Sequence, residues 1–216
     1  MGVDEENVMK LYYSAGSCST SCHIALEESG LKYEAVEVDW DNASDPNIPV
    51  VTKLNGMGTL PILITDDGKQ LDQNIAIQTY VADKAPDKKL LPAAGTFERA
   101  EAVNWLSFVA ADLHKSIGAL FGTSYVSQDK NVQEAYRKFA LVRANECLSY
   151  LDKKLAGHDY LLGKNFSPAD GYAFVVLGWT QHLEVPLTPY KNIQAYMGRV
   201  ASRPAVAKVM KVEGLA

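Results

Sequence analysis

Cys18 stands where a strand should hand over to a helix. Lys10-Leu11-Tyr12-Tyr13 is a short β-type run and Ser14-Ala15-Gly16-Ser17 a turn of small residues. Cys18-Ser19-Thr20 then opens a segment that carries Ile24, Ala25 and Leu26, and Ser29-Gly30 stops it. A thiol at a helix N-terminus meets unpaired N–H groups and the positive end of the helix dipole. Both favour thiolate over thiol. Position therefore marks Cys18 as a candidate sulfur-handling residue, against the alternative of a small buried hydrophobe. Cys22 would share its helix face, but a disulfide within one helical turn is strained. Cys22 and Cys147 read as packing residues.

Three other spots could serve chemistry. Pro61 heads a β-run, either as a strand-start proline or as a cis proline that lets the Leu60 backbone pair with an extended ligand. Gln73-Asn74 opens a helix, where Asn74 is a good N-cap and the free N–H groups also suit a carboxylate. Gln73 beside it could donate to that group. His114-Lys115 lies late in a long helix. The two side chains point about 100° apart, which fits a surface or core-edge pair, although near a thiol both would add positive potential. Zinc patterns, phosphate loops, GxSxG elbows and dinucleotide fingerprints are absent from the sequence.

The elements that must position these residues fall into two groups. Residues 10–13, 33–38, 60–65 and 70–71 read as strands, with Asp66-Asp67-Gly68-Lys69 as a hairpin turn. Residues 19–29, 74–82 and, weakly, 50–54 read as helices, with a loop over 39–49. The order is β-α-β-α-β-β-α. Residues 86–95 form a linker, and beyond it only helical patterns follow, over 97–116, 133–155, 172–179 and 193–203, with Pro204 opening another. Ser167-Pro168-Ala169-Asp170 offers an N-cap serine, a proline at the first helical position and a carboxylate at the third, as in a capping box.

A chain of 216 residues with 47% hydrophobic and 22% charged residues can build a sizeable core. Its formal net charge of -5, without a basic cluster, argues against nucleic acid or an anionic membrane as partner. No apolar run reaches the ~20 residues of a membrane span. Three cysteines fit a reducing compartment, with the cytoplasm as the expected address. The acidic start is unlike a secretory signal, and residues 1–8 read as an extension ahead of Met9.

Taken in order, these motifs resemble the cytosolic glutathione transferases, most closely the bacterial beta class, over residues 9–216. The resemblance rests on Lys10-Leu11-Tyr12-Tyr13-Ser14 with Gly16 and Cys18-Ser19, then His23-Ile24, Leu26 and Glu28. It continues through Asn55-Gly56, Gly58-Thr59-Leu60-Pro61, Leu113-His114-Lys115 and Tyr160-Leu161-Leu162-Gly163 into Phe166-Ser167 and Ala169-Asp170. Arg199-Val200-Ala201 and Arg203-Pro204-Ala205-Val206 close it.

The resemblance implies an α/β plus all-α fold. A thioredoxin-like N-terminal domain (βαβαββα) would cover 9–87 and an all-helical domain 93–216. It further implies a homodimer and reduced glutathione as cosubstrate, with no metal. By the same resemblance Cys18 and His114 are the catalytic candidates, with Cys18 contacting the glutathione sulfur. Tyr13, Cys18, Ser19, Thr59, Leu60, Pro61, Gln73, Asn74, Ser107, His114 and Lys115 would contact glutathione. Thr59 stands where glutamine is common, and Ser107 where an asparagine reaching the partner is often found. His114, Lys115 and Trp179 would border a pocket for a hydrophobic electrophile, with Gly178 in place of a larger basic residue. The expected activity is conjugation. A disulfide-reducing or dehalogenating enzyme that uses Cys18 covalently, and a non-catalytic carrier, are the alternatives.

Overall fold

The computed structural model describes residues 8–216. The expected extension over 1–8 therefore lies outside the described residues, apart from Val8, which is exposed.

The chain divides into a unit that runs to Leu91 and takes in Pro204–Ala216, and a unit of Pro92–Arg203. In the first, β1 (Met9–Tyr13) alternates strictly between its two faces. It pairs in parallel with β2 (Tyr33–Glu37) and antiparallel with β3 (Ile62–Ile64), and β3 pairs antiparallel with β4 (Gln70–Leu71). The sheet order is β2-β1-β3-β4, with α1 (Thr20–Ser29), α2 (Asn47–Asn55) and α3 (Asn74–Lys84) in the connections. This is the expected βαβαββα order. Period-two alternation sends Leu11, Tyr13 and Leu63 into a core with Leu26 of α1 and Val81 of α3, while Ile62 packs on the other face with Val51 of α2. Each wholly buried Leu or Ile contributes roughly 1.5–3 kcal/mol. Helix α2 begins inside the expected 39–49 loop, because Pro49 falls in the first turn, where a missing N–H is harmless.

The last helix, α10 (Pro204–Val212), lies inside the expected 93–216 domain in sequence but groups with the sheet unit. Polar anchoring is the physical reason. Glu213 is buried, and its carboxylate meets His23 Nδ1 at 2.8 Å while accepting from Thr20 Oγ1 at 2.7 Å and the Gly16 N–H at 3.2 Å.

The second unit is helical throughout its regular elements. α4 (Phe97–Phe108) runs through a wide turn over Val109–Leu113 into α5 (His114–Gly118), and the His114 N–H reaches back five residues to the Val109 carbonyl. Then come α6 (Thr123–Val126), α7 (Lys130–Leu155), α8 (Pro168–His182) and α9 (Lys191–Ala201). Helix α8 is buried along most of its length and opens with the expected capping box. The Ser167 N–H and hydroxyl each donate to Asp170 Oδ2 at 2.8 Å, and the Leu161 N–H donates to Oδ1 at 2.8 Å. The Tyr196 hydroxyl adds a donation to Oδ1 at 3.1 Å.

Candidate functional site

The loop between β1 and α1 carries Cys18 and is tied down by the Ser19 side chain. Ser19 Oγ accepts from the Ser14 N–H at 2.9 Å and lies 2.6 Å from Ser17 Oγ. Ser19 is fully buried, and its hydroxyl knits the loop together. Tyr13 closes β1 just ahead of this loop. Its ring is buried against His23, with ring centroids 5.0 Å apart, and burial pushes its phenol up to about 12.

Cys18 itself is half-buried, and its Sγ donates to the Leu60 carbonyl at 3.7 Å. Burial raises its pKa and outweighs the opposing pull of its own backbone N–H and of the Asn74 amide. Burial thus opposes the thiolate that helix position favours. The Leu60–Pro61 peptide is cis, the second of the two alternatives weighed for that proline.

At the head of α3 the N-cap is Gln73, extended and exposed, in place of the expected Asn74. Asn74 is the first helical residue. Its side chain turns inward, and Nδ2 donates to the Cys18 carbonyl at 2.8 Å. Thr59 is exposed in a loop organised by Asn55, whose Nδ2 donates to the Thr59 carbonyl at 2.7 Å and whose Oδ1 accepts from the Gly58 N–H at 2.8 Å.

In the helical unit, His114 and Lys115 diverge as their spacing requires. Lys115 is exposed, whereas half-buried His114 places Nδ1 2.7 Å from the Tyr172 hydroxyl. The Trp179 ring stands edge-on to His114 at 4.8 Å, and Phe121 meets Trp179 at 5.8 Å. Gly118 makes room for this stack, since a Cβ there would lie 3.3 Å from His114 Cδ2. Burial first, and the Lys115 charge second, lower the His114 pKa. Burial thus works against a charged His114. Ser107 is exposed on α4, and Gly178 borders open space.

Cys18, Leu60, Pro61 and Asn74 are thus gathered within the sheet unit, and His114 and Trp179 within the helical one. Sequence reading missed Asn55 as the loop organiser, and it missed Ser21 and Gln78, both buried polar residues on the packed faces of α1 and α3. Ser21 and Gln78 carry a faint signal, as polar residues at helical spacing inside apolar stripes. Glu213 carries none, because its partner Gly16 is distant in the chain.

Residues 7–83 match the family model described as glutathione S-transferase, N-terminal domain, and residues 113–204 match that of the C-terminal domain. The chain is 33% identical over 207 residues to the glutathione S-transferase GstA of Escherichia coli O157:H7, covering 96% of this chain and 100% of the relative. The chain belongs to the glutathione S-transferase family. Among solved structures, a sphingomonad glutathione S-transferase complexed with glutathione superposes with a TM-score of 0.85 at 37% identity, covering 96% of this chain and 100% of that one. The bacterial beta class glutathione S-transferase of Sphingomonas chungbukensis gives the same identity, coverage and TM-score. This transferase is accordingly close to the bacterial beta class. Its N-terminal match contains Cys18, Leu60 and Gln73, and its C-terminal match contains His114, Lys115 and Trp179, while Ser107 lies between the two and Glu213 beyond both. Among the described residues there is no group that could hold a metal ion, and no helix long and apolar enough to cross a membrane.

Proposed function

We propose that this transferase conjugates reduced glutathione to hydrophobic electrophiles, with Cys18 as the protein group that meets the glutathione sulfur. The observation that carries the reading is the Cys18 thiol at the head of α1, half-buried and donating to Leu60, in a chain of this family. A protein thiol held in its protonated form is a donor, and a donor favours the ionised form of a sulfur that accepts from it. The glutathione thiolate is then the nucleophile. Its sulfur forms a bond to the electrophilic carbon, the leaving group departs with the bonding pair, and the thiol proton goes to solvent.

The Leu60 backbone is assigned to the cysteinyl part of glutathione and Gln73 to the γ-glutamyl end, at the N-terminus of α3. Thr59 and Lys115 are assigned peripheral contacts, and the aromatic group around Trp179 the apolar acceptor. A covalent role for Cys18 in disulfide chemistry needs its thiolate, which burial disfavours. The proposal includes a homodimer, supported by the exposed Phe97, Val103, Phe139 and Val142 of α4 and α7, with Ser107 as a residue that reaches the partner. It also includes a cytoplasmic address, supported by three free cysteines.

Glutathione-dependent consumption of an aryl halide, measured beside reduction of a mixed disulfide, tests the reading. Conjugation should dominate. Disulfide reduction without conjugation would overturn it.

A further inference from the structure

Below Cys18 lies a polar knot inside an apolar core. Asn74 Nδ2 donates to the Cys18 carbonyl at 2.8 Å and to Ser21 Oγ at 3.0 Å. The Ser21 hydroxyl donates to the same carbonyl at 2.7 Å. One turn along α3, Gln78 Nε2 donates to Ser21 Oγ at 3.1 Å and to Asn74 Oδ1. The Cys22 thiol donates to the Asn74 carbonyl at 3.8 Å. Ser21 and Gln78 are wholly buried, and Asn74 is 9% exposed.

This is an expensive way to fill a core. Apolar side chains of the same volume would pack these helices without desolvating amides and a hydroxyl. Among the described residues, moreover, Gln78 Oε1 is buried with no hydrogen-bond partner. What the knot achieves is the fixing of one atom. The Cys18 carbonyl accepts from two side chains, each held in turn by Gln78. With that carbonyl fixed, the Cys18–Ser19 peptide plane cannot rock, and the direction of the Cys18 Cα–Cβ bond is set.

We propose that Ser21, Asn74 and Gln78 form a positioning device that aims the Cys18 sulfur, so that the Asn74 side chain serves the sulfur chemistry. The proposal rests on the reading that Cys18 meets the glutathione sulfur. Asn74 also acts on the thiol electrically, its amide drawing the Cys18 pKa down against burial. Gln78 touches neither Cys18 nor any atom assigned to glutathione, and acts only by holding Asn74 and Ser21.

Two variants of the full chain test it. Asn74→Ala removes the donor, and Gln78→Met keeps the side-chain volume while removing both the support and the orphaned acceptor. The readouts are the pH profile of Cys18 alkylation by iodoacetamide, located by peptide mass, and steady-state conjugation kinetics. In Asn74→Ala the alkylation profile should move to higher pH, and kcat should fall about threefold, less than in Cys18→Ala, with KM for glutathione within about twofold. Gln78→Met should shift both in the same direction by less. An unchanged alkylation profile in both folded variants would overturn the proposal. So would a tenfold rise in KM with kcat intact, which would return Asn74 to the γ-glutamyl end. Alkylation needs no transferase activity, so a wild-type protein that fails to conjugate would sink the proposed function and leave this test standing.

Discussion

The Cys18 thiol donates to the Leu60 carbonyl across 3.7 Å, joining the head of α1 to the segment that leads into β3. That carbonyl is also the atom an extended peptide would use to pair with the sheet. Under the proposed function, a tripeptide paired with it would displace the thiol, whose proton would then be free to turn towards the ligand's own sulfur.

Cys18→Ala should retain conjugation to within about tenfold, because it deletes one donor among several at the helix terminus. It should abolish whatever disulfide exchange the wild type shows. Incubation of the wild type with oxidised glutathione should place any adduct on Cys18, since Cys22 and Cys147 are buried. Equal retention of both activities would remove Cys18 from the mechanism.

Gln73→Ala should raise KM for glutathione about tenfold, equivalent to roughly 1.4 kcal/mol of binding, and leave kcat within about twofold. The γ-glutamyl end is remote from the reacting sulfur, so binding suffers and chemistry does not. Normal glutathione affinity in this variant would refute the assigned pose.

Asp170→Ala should act on stability. It strips the acceptor from the buried Ser167 N–H and hydroxyl and the Leu161 N–H, and one of two acceptors from the Tyr196 hydroxyl. Each orphaned donor is costly, and the total should be about 3 kcal/mol or more. At about 2–4 °C per kcal/mol for a chain of this size, melting should drop by about 10 °C, with near-normal glutathione affinity in the folded fraction. Full stability with lost catalysis would place Asp170 in the active site instead.

The same carboxyl predicts a pH effect. Complete burial outweighs its four donors and raises Asp170 from 3.8 to about 6. Between those values the folded state holds a proton that the unfolded state has lost, so stability falls as pH rises through the window. Against Asp170→Asn, which cannot ionise, the wild-type melting temperature should decline from about pH 4 to 6 and then run parallel. A flat difference across that range would contradict the raised value.

His114 is held below the ordinary histidine range by burial and by the Lys115 charge. Lys115→Ala should therefore raise its midpoint in an NMR titration, without restoring the ordinary value, because burial is the larger cause. An unchanged midpoint would mean that the lysine charge is fully screened.

Local pattern sufficed for the βαβαββα order and the helical remainder, because apolar runs at 10–13, 33–38 and 60–65 are separated by turn residues and Ser167-Pro168-Ala169-Asp170 satisfies its cap locally. Local pattern failed where partners are distant in the chain. Glu213 binds Gly16, which moves the last helix to the sheet unit. Motif position singled out Cys18, Leu60 and His114, yet burial works against the charged form of both titratable members. A helix terminus is visible in sequence, and the desolvation that opposes it is not. The inward turn of Asn74 was equally hidden, since a good N-cap residue and a buried amide are the same letter.

The wide turn over Val109–Leu113 is slack in an otherwise continuous rod. A π turn is an α-helical turn holding one residue too many, and each residue of a regular helix is worth about 100° of rotation. By bulging, the turn absorbs that angle. Val109, Leu113 and Ile117 thereby keep phase with Ala102 and Leu106 on the core side, and His114 stays against Tyr172 and Trp179. The helix can therefore lose exposed Ala111 and tighten to regular width with the aromatic stack undisturbed. The same single-residue deletion between Ala102 and Leu106 finds no slack and turns everything before it out of register with the core. Length, in this stretch, is adjustable at one point only.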